Sequence, residues 1–200
     1  MTAERQQLVF ADVRAWRAWL DENHSSSDGI WLVLAKKGTL KPTSLSYAEA
    51  LEEALCYGWI DGQARSGGEG TFSQGFTPRR KRSPWSKRNT ARAERLVAEG
   101  RMHASGIGEI DRAKADGRWE AAYAGSATIE VPPELRAALA ASPKAQTKFS
   151  TLNSQNRYAI LYRLATAKRA DTRARRIEQF VAMLDRGETI HPQKEGRTAG

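Results

Sequence analysis

SYAEALEEALCYGWIDGQARSGGEGTFSQGFTP, residues 46–78, carries the clearest structural instructions in the chain. Ser46 and Glu49 stand at capping-box spacing, so a helix starts here: the serine hydroxyl accepts a free N–H three residues on, and the glutamate accepts the serine's own. Tyr47, Leu51, Ala54 and Leu55 repeat at helical spacing and make the inner stripe. Gly58 follows, where a chain leaving a helix turns left-handed. The remainder reads as a hairpin, with Gly67-Gly68 the favoured turn and Asp61-Gly62 a tighter alternative. Phe72, Gln74 and Phe76 share one face of the returning strand.

Working outward, IWLVLAKKG (30–38) reads as a buried strand with a glycine stop, and Asp12 caps a helix that turns Val13, Trp16 and Leu20 inward. Downstream, Ser83-Pro84 predicts an N-cap with proline at the first helical position, in a helix running to Gly100. A second helix carries Ile107 and Ile110 and stops at Gly117. From Pro132-Pro133 onward everything reads as helical, including 153–167 and 171–187. The expected fold is therefore α+β, a small antiparallel sheet with packed helices over 1–125. An all-helical C-terminal module follows over 131–188, then a disordered tail over 189–200.

At 200 residues, 40% hydrophobic and 28% charged, the chain has the composition of a globular protein. Its longest apolar run, Ile30 to Ala35, is far too short for a membrane span, and the N-terminus lacks a signal-peptide core, which points to the cytoplasm. Cys56, the single cysteine, excludes an internal disulfide and a zinc–cysteine cluster, and reads as buried filler. His24, His103 and His191 stand far apart, without ligand spacing. No nucleophile elbow or Walker loop is present, and the glycines of SGGEG and GIGEID lack a dinucleotide fingerprint. No catalytic residue, metal or cofactor is assigned, and a binding role is favoured over an enzyme.

The net charge of +9 is concentrated. FTPRRKRSPWSKRN (76–89) opens a segment, 79–95, in which eight Lys or Arg face one acid, Glu94. A second segment, 168–176, sets Lys168, Arg169, Arg173, Arg175 and Arg176 against Asp171. The rest of the chain is nearly neutral. Cations around Trp85 suit a nucleic-acid surface, or equally a solvated connector. In the second segment, arginines in a helix's first turns oppose the macrodipole by about 0.3–1 kcal/mol each, and an Asp171–Arg175 pair recovers only about 0.2–0.5 kcal/mol. Arg173 leans toward the packed side and needs an acid, such as Asp61 or Glu52, a cluster of backbone carbonyls, or a bound anion.

EALEEALCYGWIDGQ, FTPRRKRSPWSKRN, GRM…AKADGRW and AKRADTRARRIEQFVAMLDRG, in that order across 16–187, resemble the YdeI/OmpD-associated (OmdA) family of bacteriocin-protection proteins. The resemblance implies a small helical C-terminal domain and a role in envelope stress or resistance to antimicrobial peptides. It implies no reaction. The first half is loosely similar to the YdhG-like, frataxin-like fold, but iron binding of that kind needs an acidic ridge, which a basic chain lacks. Direct capture of cationic peptides is likewise disfavoured at +9.

The site expected from the sequence joins Trp59, Asp61 and Gln63 with Arg79, Arg80, Trp85, Lys87 and Asn89, with Arg173 and Arg176 from the C-terminal helix. Its partner would be an anionic ligand, nucleic acid or acidic protein. A competing reading makes Asp61-Gly62 turn chemistry and Trp59 core. A third makes Asp61 and converging arginines a small-anion pocket or cryptic active site.

Overall fold

The computed structural model describes residues 5–126, 128–167 and 169–193. The chain divides into two compact units, 1–122 and 123–200. Four strands form one sheet in the first unit: β1 (Gln7–Val9), β2 (Ile30–Ala35), β3 (Trp59–Ser66) and β4 (Thr71–Pro78), in the order β1-β2-β4-β3. The architecture is α+β as expected, but the sheet is mixed, because β1 runs parallel to β2. β1 is only three residues of largely exposed QLV, too short to show an alternating pattern.

β2 is buried along its whole length. Ile30, Leu32 and Leu34 meet Phe76 and the inner stripes of four helices: α1 (Val13–Asn23), α2 (Tyr47–Cys56), α3 (Lys87–Ala98) and α4 (Ala104–Ala115). Trp16 and Leu20, Leu51 and Leu55, Ala93 and Leu96, and Ile110 and Ala113 come from those helices in turn. Buried indoles need acceptors. Trp16 donates to the Ala50 carbonyl at 3.1 Å and Trp59 to the His24 carbonyl at 3.0 Å. On the opposite face of β2, Trp31 lies beneath the Arg65 guanidinium, 3.7 Å from its ring centre.

The capping box at Ser46 and Glu49 forms as read, and Asp12 accepts from Arg14 and Ala15. Gly58 takes φ of +76° past the end of α2. The hairpin turns at 67–70, as Gly67-Gly68 predicts, while Asp61-Gly62 instead begins a register shift between Asp61 and Ala64. The buried Gln74 amide completes that bulge by donating to the Gly62 carbonyl at 2.7 Å and the Gln63 carbonyl at 3.2 Å. α3 departs from expectation. It starts at Lys87, with Ser86 as N-cap, whereas Ser83 closes a turn by accepting from Arg80 N–H. Two serines three residues apart offer two caps, and the buried side of Trp85 selects the later one.

α2 and α4 meet where α2 ends. The Cys56 carbonyl accepts from His103 N–H, the Tyr57 carbonyl from the Ser105 hydroxyl and the Gly58 carbonyl from Arg79 N–H, at 3.0–3.1 Å. Gly106 sits so close that a Cβ there would lie 2.1 Å from the Cys56 oxygen. The first glycine of GIGEID is therefore a packing contact.

The second unit holds α5 (Pro133–Ala140), α6 (Pro143–Ser150), α7 (Ser154–Ala165) and α8 (Ala170–Asp185). Leu135, Leu139, Phe149, Ile160, Leu161, Leu164, Ile177 and Leu184 form its core. Residues 189–193, assigned by the sequence to a disordered tail, are tied to α7. Fully buried Asn156 donates to the His191 carbonyl and accepts from its N–H, and Gln193 donates to Thr151 O and accepts from Asn153 N–H. The rest of that tail, 194–200, lies outside the described residues, as does Lys168.

The two glycines of α4 predict opposite outcomes. Gly106→Ala forces the helix off α2 and lowers stability by about 1–3 kcal/mol. Gly108 is exposed, with nothing near its missing Cβ, so Gly108→Ala raises stability by about 0.5–1 kcal/mol. Urea-unfolding midpoints of the two variants should move in opposite directions.

Candidate functional site

The basic segment separates into locked and free parts. Arg79 is buried, its guanidinium 3.6 Å from the Trp85 ring centre and donating to the Pro84 carbonyl at 3.2 Å. Trp85 is 2% exposed and also packs on Trp119, at 4.8 Å between ring centres. Arg118 fastens the same loop by donating to the Ser83 carbonyl at 2.9 Å. Trp85 is thus a core residue, with no free face on which a base could stack.

Around this anchor stand the free cations. Arg80, Lys81 and Arg82 are exposed on the turn that Ser83 closes, and Lys87 and Arg88 are exposed in the first turn of α3. Half-buried Arg92 lies one turn on, 3.4 Å from the Asn89 side-chain oxygen. Asn89 itself is buried, its N–H held by Ser86. Among the described residues none of these six cations has a carboxylate within 4 Å. No acid lies in the first turn of α3, so the cations also stand at the positive end of the helix dipole.

The acids Glu52 and Glu53 of α2 are engaged elsewhere. Glu53, 4% exposed, is held between Arg17 at 2.9 Å and Arg101 at 2.6 Å. Glu52 pairs with Arg95 and Arg101, and Arg95 also reaches Glu99 at 2.7 Å. Arg95, counted in the basic segment from sequence, therefore belongs to an ionic ladder on the surface of α2 and α3.

Trp59, Asp61 and Gln63 meet different surroundings although they alternate along one strand. Trp59 is core, 1% exposed, with its ring edge-on to Trp16 and Trp19. Gln63 is exposed at the bulge. Asp61 accepts from the Tyr47 hydroxyl at 2.7 Å. Burial first, then that bond and the Asp61 charge, push the Tyr47 phenol well above the usual tyrosine range, while Arg92 and Arg88 pull it partly back. The two arginines are therefore within electrostatic reach of Tyr47, a juxtaposition between α2 and α3 that sequence spacing does not reveal.

Sequence spacing also hides a histidine pair. His24 caps the end of α1 and His103 the start of α4, yet their rings are 4.7 Å apart, and both contact the Tyr57 ring. Tyr57 donates to Asp21, and burial together with that bond raises its phenol well above the ordinary value. Among the described residues no three His, Cys, Asp or Glu side chains are grouped so as to hold a metal ion. Cys56 is fully buried, and burial raises its thiol to about 11, so it stays a protonated filler.

In the second unit, Arg173 is 3.9 Å from Glu134, and Arg176 donates to the Arg163 carbonyl. Asp171 pairs with Arg169 at 2.9 Å, and not with Arg175 as its spacing suggested.

Residues 8–109 match the model of a domain of unknown function, DUF8412, and 128–187 match OmdA, described as bacteriocin-protection, YdeI or OmpD-associated. The chain belongs to the DUF8412 family and carries an OmdA domain. No curated protein and no solved structure matches it. The resemblance read across 16–187 thus resolves into two models, with Arg173 and Arg176 in the OmdA domain and the six free cations in the DUF8412 region. No helix among the described residues is long and apolar enough to cross a membrane.

Tyr47 and Tyr57 give the DUF8412 region an alkaline limit. Both phenols are harder to ionise folded than unfolded, so their contribution is fully present below the ordinary value near about 10 and is lost as pH rises past it. Urea midpoints measured from about pH 8 to about pH 11 should fall, and Tyr47→Phe should flatten the fall while costing about 1–2 kcal/mol at neutral pH.

Proposed function

We propose that this chain is a non-catalytic cytoplasmic binding protein in bacteriocin protection, working through a polyanion-facing edge made by Arg80, Lys81, Arg82, Lys87, Arg88 and Arg92. The observation that carries this reading is the lack of any carboxylate within ion-pair distance of these six among the described residues, beside a tightly paired ladder that uses Glu52, Glu53 and Glu99. Cations left unpaired on one edge attract phosphates and repel cationic peptides. Protection on this reading proceeds through an anionic partner inside the cell, for which nucleic acid is the reference ligand.

With Trp85 buried, binding rests on charge and has little preference between single strand and duplex. The Tyr47 hydrogen bond gives Asp61 a structural role in the same neighbourhood, where it holds α2 to β3.

The test is fluorescence anisotropy of labelled oligonucleotides. Micromolar binding at low salt should weaken with a log–log slope of about −5 on duplex if all six cations engage. Lys87→Glu with Arg88→Glu should abolish binding without lowering the unfolding midpoint, since both side chains are exposed and acids at the start of α3 suit the helix dipole. Salt-independent binding, or none at low salt, rejects the polyanion edge.

A further inference from the structure

The OmdA domain contains a cavity of about 460 Å³ that the basic edge does not involve. Segment 129–131, α5, α6 and the first turn of α7 surround it. Its floor is apolar: buried Leu139 and Phe149, flanked by half-buried Ile129 and Val131. Its rim is polar, with Arg136, Gln146, Ser150, Arg157 and Glu130 all exposed.

The two arginines are the chemical signature. Arg157 is exposed, with its guanidinium carbon 4.6 Å from the Phe149 ring centre, a cation–π contact that uses none of its N–H donors. Arg136 makes one weak bond, 3.4 Å to the Val131 carbonyl. Neither has a carboxylate within 4 Å among the described residues, Glu130 included. Two cations against one acid leave a surplus of one positive charge over an apolar floor.

We propose that this cavity binds a small apolar carboxylate, with its hydrocarbon part on Leu139 and Phe149 and its carboxylate held by Arg136 and Arg157. Three features select that class. The volume lies in the range of small-molecule sites, about 300–1,000 Å³. The local surplus matches a monoanion better than a phosphate dianion. The planar guanidinium fork matches the two oxygens of a carboxylate. Gln146 and Ser150 add neutral donors along α6 and no competing charge.

Octanoate, octanol and acetate separate the two halves of the ligand, and isothermal titration on the full chain reads each. Octanoate should bind measurably, acetate should not, and octanol should bind about tenfold or more weakly than octanoate. Arg136→Gln with Arg157→Gln should remove the preference for octanoate over octanol and leave the helical circular dichroism intact. Lys87→Glu with Arg88→Glu should leave octanoate binding unchanged, so the cavity and the polyanion edge can fail separately. Equal binding of octanoate and octanol by the unmodified chain overturns the proposal. So does unaltered octanoate binding by the Arg136/Arg157 variant, or no octanoate binding at all.

Discussion

The carbonyls of Cys56, Tyr57 and Gly58 organise the first unit. A helix end leaves carbonyls with no partner of its own, and burying them unpaired is costly. Here each is answered from a different segment: the N–H of His103, the hydroxyl of Ser105 and the N–H of Arg79. Those bonds fix the start of α4 and the end of the hairpin to the end of α2. Gly106 makes the approach possible by having no side chain, and Gly58 by turning left-handed. The histidine pair and the buried stack of Arg79 on Trp85 grow from the same junction.

That arrangement also decides where charge is left over. α2 turns Glu52 and Glu53 toward arginines at 17, 95 and 101, which neutralise a nearly buried carboxylate. The remaining cations of the basic segment then have no acid within ion-pair distance among the described residues. Their exposure follows from how the acids were allocated, as much as from how many cations the sequence contains. Burial of Trp85 and Arg79 anchors the loop that carries Arg80, Lys81 and Arg82.

The local signals of the fold were readable because they are local. Ser46 with Glu49, Gly58, the Gly67-Gly68 turn and the strand at Ile30 each depend on neighbours a few residues away. β1 escaped because three residues carry no period and its partner lies in β2. Ser83 misled because Ser86 offered the same chemistry three residues on. The site was harder. Trp59, Asp61 and Gln63 were grouped by strand alternation, which a bulge at Gly62 and Gln63 breaks. The approach of Arg88 and Arg92 to Tyr47, and of His24 to His103, depends on packing between distant helices, for which one sequence has no periodicity to read.

The separation into two cores has a spectroscopic consequence. All six tryptophans of the chain, from Trp16 to Trp119, fall in the first unit. Indole emission therefore follows the sheet and its helices alone, and the OmdA helices, with Tyr158 and Tyr162 as chromophores, are dark to it. Far-ultraviolet dichroism sees both. Where the two probes melt apart, the chain is two cooperative bodies and no single midpoint describes it; where they coincide, the units unfold as one.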